Sequence, residues 1–219
     1  MIKVTYIDHM GTDLSVVNAA RVSFGKKSTF VDTDGKTLYD SDDKLINYLA
    51  KHKHMSPFGH AFASFHVKAP VFVARQLVKH KFLRWNEISR RYIDDEPEFY
   101  VPEVWRGRSA DKKQGSEGEV NLGTLDTAIV SDSPYEALCA YKALLKSGVA
   151  PEQARMVLPQ STMTEWYWSG SLDAFSDMCI LRCKSDTQAE TREVAQQISE
   201  IMEGLFPVSW PALTKPWRH

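Results

Sequence analysis

The residues with the most chemistry to offer lie in one block, Gln76-Leu77-Val78-Lys79-His80-Lys81-Phe82-Leu83-Arg84-Trp85-Asn86-Glu87-Ile88-Ser89-Arg90-Arg91-Tyr92. Its cations Lys79, Lys81, Arg84, Arg90 and Arg91 are interleaved with Phe82 and Trp85, and Glu87 is its only acid. Unpaired cations and empty guanidinium donors are costly to bury, so such a block faces an anion: a phosphate, a carboxylate or an acidic surface. Guanidinium forks suit phosphates and planar carbonyls, because two parallel donors fix orientation as well as charge. A run of Lys and Arg is more often a solvated face. Here Gln76, Asn86, Glu87, Ser89 and Tyr92 add directional hydrogen-bonding groups, and the apolar run Ala69-Pro70-Val71-Phe72-Val73-Ala74 ties the block to a core. With Pro70 in the first turn of a helix, i, i+3, i+4 spacing places Gln76, Lys79 and His80 on one face. Residues 84–91 lose the helical period and read as a loop.

The elements around this block alternate between short strands and helices. Residues 2–6, 61–67 and 162–168 alternate or run apolar in the manner of strands. Helices are expected over 13–20, 41–52, 151–158 and 171–182, and over 133–148 behind the capping box Ser133-Pro134-Tyr135-Glu136. Ser185 and Gln188 cap a long last helix through Phe206. This predicts an α+β fold, helices packed on a modest antiparallel sheet, in a single domain over residues 1–219. A chain of 219 residues, 43% apolar, has enough material for one sizeable core. Between Asp94 and Leu125 the composition turns to Asp, Glu, Gly, Ser and Lys, which predicts an exposed loop over about 94–125, mobile over 106–120.

Composition excludes several classes. With 27 Lys plus Arg against 28 acids, the chain lacks the basic surplus of a bulk nucleic-acid binder. No apolar run is long enough to span a membrane, and residues 1–6 lack a signal peptide's apolar core. Three cysteines without metal spacing favour a reduced, cytoplasmic compartment. His52, His54, His60 and His66 fall close together, but neither their spacing nor nearby carboxylates fit a zinc pattern, so no metal is expected. No P-loop or Gly-rich dinucleotide fingerprint is present, so any flavin site must be non-Rossmann.

The block resembles the signature of the flavin-dependent thymidylate synthases: Lys79-His80-Lys81, seven residues, Ser89, then Arg91-Tyr92, with Asn86-Glu87 at the family's Asn-Glu. Lys79 and Lys81 stand where the family has Arg, and Arg84 where it has Ser. Outside the block, His54, Ser56 and His60 match a His-x-x-Pro-Phe-x-His-like turn, and residues 19–24 match a wall of the flavin site. Arg155 matches an Ala-Arg-x-x-Leu-Pro motif, and Arg182-x-x-Ser185-x-x-Gln188-x-Glu190 a further one. Asp177 and Ser171 replace Asn, and Asp186 replaces His. The resemblance implies reductive methylation of dUMP to dTMP, with methylenetetrahydrofolate as carbon donor and NADPH-reduced FAD as hydride source. It implies that Gln76, Lys79, Ser89, Arg90, Arg91 and Arg155 hold dUMP, and that Arg182 binds and polarises the uracil. His54, Ser56, Lys79, His80, Lys81, Glu87 and Asp177 would line FAD. It also implies a homotetramer with active sites between subunits, the Ser89-Arg90-Arg91 segment coming from a neighbouring chain.

Two other readings compete. A thymidylate synthase with a Cys nucleophile needs an activated thiol, for which Cys183 beside Arg182 is the candidate and Cys139 and Cys179 bystanders. A nucleotide- or RNA-binding module would use block 76–92, with Trp85 and Tyr92 stacking on bases.

Overall fold

Alternation along two strands sets the architecture. In β2 (Phe62–Pro70) the side chains of Ala63, Phe65, Val67 and Ala69 are buried while Ser64, His66 and Lys68 face outward, as the two-residue period of a strand requires. β6 (Met163–Ser171) does the same with Trp166 and Trp168 inward and Tyr167 outward. With β1 (Lys3–Met10) and β3 (Arg84–Glu87) they form an antiparallel sheet in the order β1-β2-β6-β3. These assignments come from a computed structural model that describes residues 1–93, 95–110 and 115–214.

Two helices leave the central strand pair from opposite ends. α3 (Val71–Leu77) begins where β2 stops, its N-cap being Pro70, opposite Met163 in the register. α6 (Leu172–Arg182) begins at the far end, after Ser171, which pairs with Phe62. Both lie on the apolar face of the sheet, so α6 runs about 16 Å back along it. The C-terminus of α6 therefore arrives at the C-terminus of α3. α7 (Ala189–Leu205) packs on α6 and α3. α8 (Ser209–Thr214) packs on α6, α7 and α2 (Asp40–Lys51), and α1 (Asp13–Arg21) on α2. Asp13 is buried and accepts hydrogen bonds from the Val208 and Ser209 amides, both at 2.9 Å, at the start of α8.

The core under the sheet is aromatic. Phe175 sits edge-on to Phe65 at 5.1 Å and to Trp168 at 5.6 Å between ring centroids. Trp85 stacks on Trp166 at 4.3 Å. That contact corrects the expected loop over 84–91: inward Trp85 draws residues 84–87 into the sheet as β3, with Arg84 and Asn86 facing outward.

Three further expectations change. α3 ends at Leu77, so Lys79 and His80 lie beyond it rather than on its face. The helix expected from Ser133 is α4 (Thr124–Lys146), which starts earlier and carries Pro134 inside it. Of the loop expected over about 94–125, residues 94 and 111–114 lie outside the described residues. The rest contains a two-stranded hairpin, β4 (Arg106–Arg108) with β5 (Ser116–Glu119). The short α5 (Pro151–Ala154) continues into a 3-10 turn over Arg155–Val157.

Phe175→Ala would empty a fully buried site between Phe65 and Trp168. We expect it to cost about 3–5 kcal/mol of stability, the usual range for a core Phe. Urea denaturation with an unchanged slope measures this, and a loss below about 1 kcal/mol would mean that the aromatic cluster is not the core.

Candidate active site

The meeting of α3 and α6 places Arg182 against the basic block. Arg182 Nε donates to His80 Nε2 at 3.2 Å, and Nη2 donates to the Gln76 carbonyl at 3.2 Å. That carbonyl is one of the last in α3, where no later turn supplies a partner, so it is free to accept a cation. Gln76 Nε2 donates to Gln188 Oε1 at 2.5 Å, tying the N-cap of α7 to the same point. Two segments far apart in sequence, residues 76–80 and 182–188, are thus tied together at one guanidinium. Arg182 Nη1 has no partner among the described residues.

Burial, with Arg182 beside it, pushes the His80 pKa down to about 4. His80 is therefore neutral near pH 7, and its Nε2 can accept the Arg182 bond only in the tautomer with the proton on Nδ1. Burial also lowers the Arg182 pKa. A guanidinium's ordinary value lies so high that the group remains charged.

A second grouping lies on the other side of α3. Arg75, Glu87, Arg90 and Arg155 line a cavity of about 560 Å³, floored by Met163 and Thr164. Glu87 is held within the sheet, accepting from Thr164 Oγ1 at 2.7 Å and Trp85 Nε1 at 3.1 Å. Arg90 donates to the Asp95 carbonyl at 2.6 Å, and Arg155 Nε to the Glu152 carbonyl at 3.3 Å. Ser89 Oγ accepts from Arg91, whose guanidinium lies 4.9 Å over the Tyr92 ring. Arg75 and Glu152 are charged residues of this cavity that lie outside the block singled out in the sequence, which begins at Gln76.

Of the remaining residues expected at the flavin, His54 and Ser56 lie in one segment and Asp177 on the helix packed against it. The 3-10 turn Ser56–His60 packs against α6, and His54 and Ser56 are exposed. Lys53, just before His54, holds the left-handed conformation (φ 58°), which is uncommon for a residue with a side chain. Burial and Asp173 raise the Asp177 pKa, and Lys53 opposes them, so this turn and the Asp177 face of α6 are neighbours. Lys79 and Lys81 are exposed and make no ion pair among the described residues. Two ammonium groups without an ion pair suit the phosphates of a cofactor such as FAD. No group of residues among those described could hold a metal ion.

His80 links this geometry to pH. Its folded pKa lies below its ordinary value of 6.5, so the unfolded chain takes up the proton first as pH falls. The stability held by neutral His80 is complete above about 6.5 and declines down to about 4. We expect wild-type stability to fall more steeply between pH 7 and pH 5 than that of His80→Gln in urea titrations. Parallel profiles would contradict the assignment.

With that geometry in place, comparison with known proteins is informative. Residues 5–208 match the family model described as thymidylate synthase complementing protein. The flavin-dependent thymidylate synthase of Thermus thermophilus is 42% identical over 209 residues, covering 95% of this chain and 74% of that protein. That of Kosmotoga olearia is 39% identical over 208 residues, covering 94% and 87%. The UMP/dUMP methylase PolB from Streptomyces cacaoi, bound with 5-Br dUMP, superposes with a TM-score of 0.82 at 34% identity, covering 98% of this chain and 95% of that one. The same protein bound with 5-Br UMP gives 0.81 at 33% identity, covering 100% and 96%. The match spans nearly all of the sequence, and the chain belongs to the thymidylate synthase complementing protein family as an enzyme of the flavin-dependent thymidylate synthase type.

Proposed function

We propose that the chain methylates dUMP to dTMP, taking the carbon from methylenetetrahydrofolate and the hydride from FAD that NADPH has reduced. The observation that carries this reading is the convergence of Gln76, His80 and Arg182. Methylation at uracil C5 places negative charge on the ring's O4 and N3 side. Arg182 is held from behind through Nε and Nη2, which leaves Nη1 to meet that charge with little reorganisation. A related enzyme bound with a bromouracil nucleotide supports a pyrimidine substrate.

The other roles are those that the family resemblance implies. Gln76, Lys79, Ser89, Arg90, Arg91 and Arg155 hold dUMP, the cations taking its phosphate. His54, Ser56, Lys79, His80, Lys81, Glu87 and Asp177 line FAD, which when bound supplies the hydride that converts the transferred carbon to a methyl group. Lys79 and Lys81 keep the family's charge but relax its geometry, since an ammonium cannot make a bidentate contact. Several of these residues are exposed in the single chain, as are large apolar neighbours such as Phe82 (83%), Phe24 (78%) and Met156 (79%). That surface supports a homotetramer with sites completed between subunits, the Ser89-Arg90-Arg91 segment reaching a neighbour. Among the described residues no helix is long and apolar enough to cross a membrane, and we assign the enzyme to the cytoplasm.

The competing readings lose support. Cys183, the candidate nucleophile, has the Cys179 thiol as a side-chain hydrogen-bond partner, and burial pushes that thiol well up, so Cys179 supplies no base to activate it. A base-stacking role for Trp85 is blocked by its own stack on Trp166.

Purified protein should be yellow and should oxidise NADPH faster when dUMP is added. Arg182→Ala should lower kcat for dTMP about 10²–10³-fold, the range for removing one preorganised charge-stabilising donor, while keeping the flavin spectrum. Wild-type turnover in that variant would place the role elsewhere. A folded, flavin-loaded protein with Cys139, Cys179 and Cys183 all changed to Ala should still turn over, and its loss of chemistry would restore the thiol mechanism.

A further inference from the structure

Two side-chain amides meet beside the anchor of Arg182. Gln76 Nε2 donates to Gln188 Oε1 at 2.5 Å, while the Gln76 backbone carbonyl accepts from Arg182. The donor and acceptor ends of an amide are nearly equal in size, so a contact between two amides does not by itself fix which end of either points outward. The residue behind Gln188 does fix it. Glu190, two positions on, is 4% exposed, and its Oε1 accepts from Arg106 Nη2 at 2.5 Å and from the Tyr100 hydroxyl at 3.5 Å. The Gln188 side chain is a further donor to this carboxyl group. Burial opposes charge on Glu190, but Arg106, the residue's own backbone amide and Gln188 outweigh it, so its pKa is lowered and the carboxylate is charged. Burial, Glu190 and Glu193 push the Tyr100 hydroxyl up to about 12, which keeps it a donor.

An ionised carboxylate can only accept. Gln188 must therefore turn its NH2 toward Glu190 and its oxygen toward Gln76. Gln76 must answer with its own NH2, which leaves Oε1 as the free end of its amide. That oxygen has no hydrogen-bond partner among the described residues. The charge pair of Arg106 with Glu190 thus sets the polarity of an amide two hydrogen bonds away, beside the arginine assigned to the uracil. An amide oxygen repels a phosphate and takes a donor. Of the hydrogen-bonding groups of dUMP, the ring N3–H and the 3′-hydroxyl are the donors.

We propose that Gln188 is a positioning residue for nucleotide recognition: clamped by Glu190, it fixes the Gln76 amide so that Oε1 accepts a hydrogen bond from the nucleoside, through the uracil N3–H or the 3′-hydroxyl. The inference rests on the dUMP reading above and assigns Gln76 to the nucleoside, leaving the phosphate to the cations.

Isothermal titration of flavin-loaded protein with three nucleotides tests it: dUMP, dCMP, which has no N3–H, and 2′,3′-dideoxyuridine monophosphate, which has no 3′-hydroxyl. Wild type should prefer dUMP to the analogue lacking the recognised donor by about tenfold or more, the scale of one unmade hydrogen bond. Gln188→Met removes the clamp and lets the Gln76 amide offer either end, so that preference should fall about threefold or more. The analogue whose ratio to dUMP falls identifies the donor. Gln188→Lys, whose ammonium pairs with Glu190 but can only donate, turns the amide round and should lower the same ratio at least as far. Neither change should move the ratio once Gln76→Met is also present. A merely structural Gln188 would weaken all three nucleotides alike. Ratios unmoved by both Gln188 variants, or moved as far in the Gln76→Met background, overturn the proposal. Protein that fails the test yet keeps its flavin and binds dUMP leaves the methylation reading intact, whereas protein that carries no flavin and binds no dUMP loses that reading and the proposal with it.

Discussion

A guanidinium withdrawn from water must be held by acceptors, and the structure depends on how that requirement is met at Arg182. Its two anchors, the Gln76 carbonyl and His80 Nε2, come from a helix end and the turn just beyond it. They are in place because β2 and β6 are antiparallel and feed α3 and α6 from opposite ends. A slip of one residue in the β2–β6 register would exchange Phe65 and Trp168 with polar neighbours, and would also move Arg182 off its partners. The hydrophobic alternation of two strands thereby fixes a polar contact on the far side of the core.

A second layer of ties supports that contact. Gln188 bonds Gln76, and two residues later Glu190 is paired with Arg106 of the hairpin. Gly115, in the left-handed conformation at φ 89°, brings the hairpin close to the segment after Arg182: a Cβ there would lie 3.0 Å from the Asp186 carbonyl oxygen. The segment expected from composition to be mobile over 106–120 therefore includes a hairpin that packs on Asp186 and Glu190, shortly after Arg182 in the chain. Composition misled because Arg106 looks like a surface residue, and its partner Glu190, like Asp186 against Gly115, lies far along the chain.

Elements with long, clean periods were legible in the sequence: β2, β6, α6 and α7 lie close to where alternation and capping residues put them. Residues 84–87 were not, since a four-residue strand with outward Arg84 and Asn86 has too little pattern, and only the stack of Trp85 on Trp166 makes it a strand. α4 was cut short in the reading because Ser133-Pro134 looks like a helix start. In the candidate site, residue types were legible from the motif but their grouping was not. Glu87, expected at the flavin, shares a cavity with Arg90 and Arg155, expected at dUMP. Pairings such as Arg182 with His80 join residues about a hundred positions apart and have no local signature.

The central claim is that one chain carries parts of more than one site. Arg91 and Arg155 are both exposed, and Tyr92 beside Arg91 is 75% exposed. The most direct measurement mixes two variants, Arg91→Ala and Arg155→Ala, after dissociating and reassociating the subunits. If each site takes Arg91 from one chain and Arg155 from another, an equimolar mixture of two inactive variants should regain dTMP formation, to about a quarter of the wild-type rate per site for random reassociation. A mixture no more active than either variant alone would mean that each chain builds its site by itself.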